Sequence, residues 1–219
     1  RRIPLVVNMS FGVGNEVEGS ARIDAVVDSI LALHPDVVFA VSAGNDGPGL
    51  STVGFPGSAA RVLTVGATLP AAFLWTDRRD RGVGPVAFFS SRGGELGKPD
   101  LVTPGMAWYT VPRWDSGGEQ ESGTSMASPH AAGIVALLRS ALVQEGRQAD
   151  ARAIRQALMV TAQPLDGATA LDQGAGVPNV GRAHRWLQGG HAVPAVRVEG
   201  PGGRDASAAF LTAAVANNP

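Results

Sequence analysis

The sequence predicts an α/β domain of three layers (α/β/α), a mostly parallel sheet with helices on both faces. Three observations carry this. Short apolar runs alternate with segments of helical period, the pattern of strands connected by crossover helices. A long helical segment late in the chain is apolar nearly all round and suits the core. The 29 glycines gather where the apolar runs end, and open α/β sheets bind ligands at those ends.

In chain order, "IPLVVNMS" (3–10) reads as a buried strand. "ARIDAVVDSILAL" (21–33) sets Ile23, Val26, Val27, Ile30 and Leu31 on one helical face. "DVVFAVSA" (36–43) and "RVLTVGA" (61–67) are further buried strands, and "PVAFFSS" (85–91) and "DLVTPG" (100–105) shorter ones. "SMASPHAAGIVALLRSAL" (125–142) is the core helix, with Pro129 in its first turn. "DARAIRQALMVTA" (150–162) is a more amphipathic helix. The domain is expected to end near "GRAHRWLQGG" (181–190). Residues 191–219 read as a linker and the beginning of a truncated following segment, with one short strand at 195–198.

Composition removes several classes of function. The net charge is −1 and 17% of residues are charged, so there is no basic field for nucleic acid. The mixed cluster "TDRRDRG" (76–82) reads as a solvated loop. No apolar run is expected to span a membrane. Without cysteine there are no disulfides and no thiolate metal sites. No D-x-D-x-D-G loop occurs. Glu95, Asp100 and Asp115 read as loop charges, and no metal is expected.

Three segments carry candidate chemistry. "VSAGNDGPG" (41–49) leads a strand into small residues and then Asn45, by default a turn former. "STVGFPG" (51–57) is a Gly/Pro loop with one aromatic. "SGTSMASPHAAG" (122–133) puts Ser125 at the mouth of a helix, where a serine is usually a cap. The same place favours a developing anion, because unpaired N–H groups and the positive end of the dipole meet there. Taken singly, the residues leave both readings open.

Together these segments resemble the subtilisin-like serine proteases, the subtilases. "VVNMSFG", "VFAVSAGNDG", "LSTVGFPG", "FFSSRG", "PDLVTPG" and "SGTSMASPHAAGIVALL" stand in the family's order, over roughly Leu5 to Leu187. The resemblance implies Ser125 as nucleophile, with the Asn45 carboxamide and the Ser125 N–H as oxyanion donors. It implies Ser10, Phe11 and Gly12 as the edge that pairs with the substrate backbone. Ser42, Ala43 and Gly44 would wall the pocket for the residue before the scissile bond, and Gly54 would floor it, leaving room for a large apolar side chain. His130 matches a family histidine that is not the catalytic base.

The family's catalytic Asp and His belong to "D-[ST]-G" and "HGT-H" motifs that precede the segment where this chain opens. The resemblance therefore implies a partial subtilisin-like domain over 1–190, N-terminal part missing, whose partner is that N-terminal portion and whose substrate is a polypeptide. No cofactor is implied; structural calcium in the family mostly uses upstream ligands. A non-catalytic peptide-binding module on the same cleft is the alternative. "GPGLSTVGFPG" and the enlarged segment "AAFLWTDRRDRGVGP" (71–85) look similar to the tripeptidyl-peptidase II branch, which, unlike most relatives, is not secreted.

Overall fold

The computed structural model describes residues 5–14, 17–74, 83–109 and 119–191. Four strands form a parallel sheet in chain order: β1 (Leu5–Met9), β2 (Val37–Ser42), β3 (Leu63–Thr68) and β4 (Leu101–Pro104). Leu5 pairs with Val37, Ala40 with Leu63 and Val65 with Leu101. Because side chains alternate across a strand, β2 feeds two cores. Val38, Ala40, Leu63, Val65 and Ala67 pack on α3 (Thr124–Gln144), α4 (Ala151–Val160) and α6 (Val180–Gln188). On the other face, Val41 joins Val27 and Leu31 of α1 (Arg22–Leu33), with Ala59 and Val62. These are the three layers expected.

Several elements differ from expectation. The apolar face of α1 is only half covered: Val27 and Leu31 are buried, whereas Ile23, Val26 and Ile30 are each more than 40% exposed. The segment 85–91 is not a strand. Val86 makes one bridge to Thr68, and Ser90 N–H then turns back to the Ala87 carbonyl. The Ser90 hydroxyl accepts the Ala67 N–H that a strand's backbone would have taken. Hydroxyl capping of a backbone donor ends the ladder there.

The long helix α3 lies across all four strands, but Leu137 and Val143 face outward, so it is not buried all round. By length and composition alone this 21-residue helix also qualifies as a membrane span. Its Ala127, Ala131, Val135, Leu138 and Leu142 face is core instead. The antiparallel pair β5 (Met106–Tyr109) and β6 (Glu119–Ser122) and the short helices α2 (Ala71–Leu74) and α5 (Ala170–Gln173) have no counterpart in the sequence reading. Asp150 caps α4 by accepting the Ala153 N–H at 2.7 Å. The expected strand at 195–198, the cluster at 76–82 and Asp115 lie outside the described residues.

Asp100 is not a loop charge. It is 1% exposed and sits between two cations, 2.8 Å from Lys98 Nζ and 2.8 Å from Arg155 Nη2. It also accepts the Thr64 N–H at 2.7 Å, which ties the starts of β3 and β4 together. Burial alone would raise its pKa; Arg155 and Lys98 outweigh that and hold it below the usual range. Lys98 is pushed down to about 8, chiefly by burial and against the pull of Asp100.

Candidate active site

The site forms where β1 and β2 end beside the first turn of α3. The N-cap of α3 is Gly123, at φ 156° and ψ 163°, a conformation that is almost glycine-only. Thr124 is therefore the first helical residue and Ser125 the second. Capping does not explain Ser125, and among the described residues its hydroxyl has no hydrogen-bond partner. Pro129 falls deeper in the helix than expected, at its sixth position. It has no N–H for the Ser125 carbonyl four residues back. The Ser10 hydroxyl donates to that carbonyl instead, at 2.8 Å.

Ser10 belongs to a small polar network that docks the end of β1 onto α3. Asn8 Nδ2 donates to Ser10 Oγ at 3.1 Å, and the Ser128 hydroxyl donates to Asn8 Oδ1 at 2.6 Å. Sequence carries no signal for Asn8 or Ser128. Each is an ordinary polar residue there, and only the packing of strand end on helix start gives them partners.

Asn45 lies just beyond β2 and faces the same helix start. Its Oδ1 accepts both the backbone N–H and the hydroxyl of Thr124, at 2.9 and 3.0 Å. Thr124 Oγ in turn accepts the Gly44 N–H at 3.2 Å. With Oδ1 so engaged, Nδ2 is turned toward Gly123. A Cβ placed on Gly123 would lie 3.3 Å from Asn45 Nδ2 and 3.6 Å from the Ser125 nitrogen. The Asn45 carboxamide, whose Oδ1 is 3.7 Å from the same point, and the Ser125 nitrogen therefore border one small space.

The surrounding segments are held by main chain. Phe11 is 60% exposed, and Gly12 has room for ordinary contact with the Phe55 carbonyl. Val13 and Phe55 exchange two backbone bonds, at 3.0 and 2.9 Å. The Ser42 hydroxyl turns to the carbonyls of Met9 and Phe11 rather than to a pocket. Ala43 is fully buried, and its carbonyl accepts the Gly54 N–H. A Cβ on Gly54 would sit 2.4 Å from the Val13 carbonyl oxygen. Gly54 serves that close approach of backbone. The Ser91 hydroxyl braces the 44–46 turn by accepting the Asp46 N–H at 3.1 Å.

All four histidines are accounted for, and none bonds to Ser125. His130 Nδ1 meets the Met126 carbonyl at 2.8 Å on the outer side of α3. His34 caps the end of α1. His184 pairs with Glu145 at 3.0 Å, and His191 stacks on Trp186. Glu18 is buried, which raises its pKa against the opposing effect of the Val53, Leu96 and Gly94 N–H groups it accepts. Among the described residues no three His or carboxylate groups cluster as a metal site would need.

A serine hydroxyl in the first turn of a helix, beside the Asn45 carboxamide and above a parallel sheet, is an arrangement that a serine-type hydrolase can use. The chain belongs to the subtilase family, whose model matches residues 4–178. It is 37% identical to pyrolysin of Pyrococcus furiosus over 84% of its own length, and 35% identical to tripeptidyl-peptidase 2 of Drosophila melanogaster over 85%. It spans only 15% and 13% of those two proteins. Among solved structures it resembles the prenylagaramide maturation protease PagA, with a TM-score of 0.67 and 25% identity. That match covers 84% of this chain and 62% of PagA.

Proposed function

We propose that this chain supplies the nucleophile and the oxyanion hole of a peptidase that cleaves peptide bonds through an acyl-enzyme. Ser125 Oγ attacks the carbonyl carbon, and the oxyanion forms in the space bordered by Asn45 Nδ2 and the Ser125 N–H. The amine leaves with a proton and water releases the acyl group. That shared space beside Gly123 is the observation that carries the reading. An extended polypeptide is the substrate, added as a strand along Ser10–Gly12. The exposed ring of Phe11 suits an apolar residue before the scissile bond.

The general base and its orienting carboxylate come from the N-terminal portion of the protease domain. Two features support that partner. β1 is an edge of the described sheet, with Leu5 exposed, and Ile23, Val26 and Ile30 of α1 present an uncovered apolar row. Open edges and apolar patches of this kind are ordinarily covered.

The test uses the full-length protein and a panel of free and N-terminally blocked peptides. Ser125→Ala should abolish hydrolysis, and a phosphonofluoridate should attach to Ser125 in the wild type. Cleavage of blocked peptides identifies an endopeptidase; release of three-residue products from free N-termini identifies a tripeptidyl-peptidase. Peptide binding without cleavage by the full-length protein would replace this reading with a non-catalytic module.

A further inference from the structure

Glu18 is a buried carboxylate that the chemistry at Ser125 does not use. It stands just beyond the Ser10–Gly12 edge in the chain and is 4% exposed. Its Oε1 accepts the Val53 N–H at 3.0 Å, and its Oε2 accepts those of Gly94 and Leu96 at 3.0 and 3.1 Å. A carboxylate taken out of water needs hydrogen bonds in place of its hydration. Here main-chain donors from two separate segments supply them. Val53 and Leu96 are themselves buried, so water is poorly placed to serve as acceptor if the carboxylate is removed.

Those bonds bear on the edge through a short ribbon of backbone, residues 53–55. The Gly54 N–H donates to the Ala43 carbonyl at 3.1 Å, and Phe55 exchanges two bonds with Val13. The ribbon thus connects the end of β2 with the segment that carries Ser10, Phe11 and Gly12. Val13 docks on it at Phe55 and Glu18 docks on it at Val53, either side of Gly54. The other oxygen of Glu18 reaches the 93–96 segment, which is anchored to α5 by the Gly93 N–H on the Leu171 carbonyl and by Arg92 on Asp172.

We infer that Glu18 is a positioning residue for peptide binding. By fastening the ribbon to the 93–96 segment it holds Ser10–Gly12 in the extended form on which a substrate strand pairs. The inference rests on the reading that a polypeptide adds along that edge. An edge ordered in advance spares the complex the ordering of its own backbone, so the clamp acts on affinity. Asn45 is held separately, by Thr124 at its side chain and by Ser91 at its turn. Turnover of bound peptide is therefore independent of Glu18.

The experiment measures affinity by calorimetry on full-length protein carrying Ser125→Ala, where no cleavage intervenes, and steady-state kinetics on protein that keeps Ser125. The probe is an apolar hexapeptide with a free N-terminus, beside copies N-methylated at single backbone nitrogens. Methylation at one position or more should weaken binding, the mark of strand pairing. Glu18→Gln turns an amide N–H toward main-chain donors and should raise Kd and KM by roughly three- to tenfold at unchanged kcat. Asp24→Asn removes another buried carboxylate, one that bonds Ser58 instead, and should leave Kd unchanged. Should Glu18→Gln fail to fold, Glu18→Asp, whose carboxylate stops one methylene short, takes its place. Methylation without effect removes the edge and this inference with it. Weakening by methylation, with Kd of the Glu18 variant at the wild-type value or raised equally by Asp24→Asn, overturns the clamp and leaves the edge standing. Binding without cleavage would sink the peptidase, and the Kd comparison would still decide on Glu18.

Discussion

The hydroxyl of Ser10 donates to the carbonyl oxygen of Ser125 at 2.8 Å, filling the bond that Pro129 cannot make. The proline thus opens a helical carbonyl next to the candidate nucleophile, and the end of β1 closes it. Ser10→Ala removes that donor and should cost about 1 kcal/mol, read by urea denaturation. A variant as stable as wild type would mean that water replaces the hydroxyl without loss.

Asn45 is expected to act mainly after the substrate is bound. Asn45→Ala should lower kcat by about 10²–10³ with little change in KM, a magnitude that belongs to the corresponding donor of subtilisin and is carried over through the family. A loss confined to KM would move Asn45 from the oxyanion to the bound substrate.

Thr124 orients that carboxamide through both its N–H and its hydroxyl. Thr124→Val keeps the shape and the backbone bond but deletes the hydroxyl. The hydroxyl makes two hydrogen bonds, to Asn45 and from the Gly44 N–H, of which the first holds the amide; at about 1 kcal/mol for that bond, kcat should fall by roughly tenfold or less. KM should stay near its wild-type value. A fall as large as that of Asn45→Ala would show that the hydroxyl alone fixes the amide.

Gly123→Ala should damage both stability and turnover. The backbone there is at φ 156°, and forcing a side chain onto it costs about 1–3 kcal/mol. The new Cβ would also stand 3.3 Å from Asn45 Nδ2, in the space between the two donors. Thermal unfolding and steady-state kinetics on the same sample separate the effects. Full activity at normal KM would sink the oxyanion assignment.

The buried pair Lys98–Asp100 sets two pH slopes of the same sign, with stability rising as pH rises in an acid and in an alkaline window. The depressed carboxyl of Asp100 contributes stability that is present above about pH 4, the usual aspartate range. That contribution is lost as pH falls through the lower folded value. Lys98, lowered from 10.5 to about 8, is a penalty on the folded state: it is full below pH 8 and is relieved as pH climbs toward 10.5, so stability rises there too. Asp100→Asn should cost about 3–5 kcal/mol at pH 7, because Lys98 is left buried and uncompensated, and should flatten the acid limb. Lys98→Met should cost far less and should remove the alkaline rise. Chemical denaturation from pH 3 to 10 tests both.

Local periodicity and short-range spacing carry the part of this protein that is legible before any coordinates. The parallel strands and the core helix at 125–142 follow from them, and the neighbourhood of Ser125 and Asn45 follows from the resemblance of their segments to the subtilases. Whatever depends on partners far along the chain had to wait for the packed fold. Val27 and Ile23 share one helical face in the sequence, yet only Val27 meets the sheet. That the missing side chain of Gly54 admits the carbonyl of Val13 appears only in the fold. Asp100 reads as a loop charge until Lys98 and Arg155 close around it. Hydrogen bonds and ion pairs are short-ranged and directional, so which atoms share them is fixed only when distant segments pack.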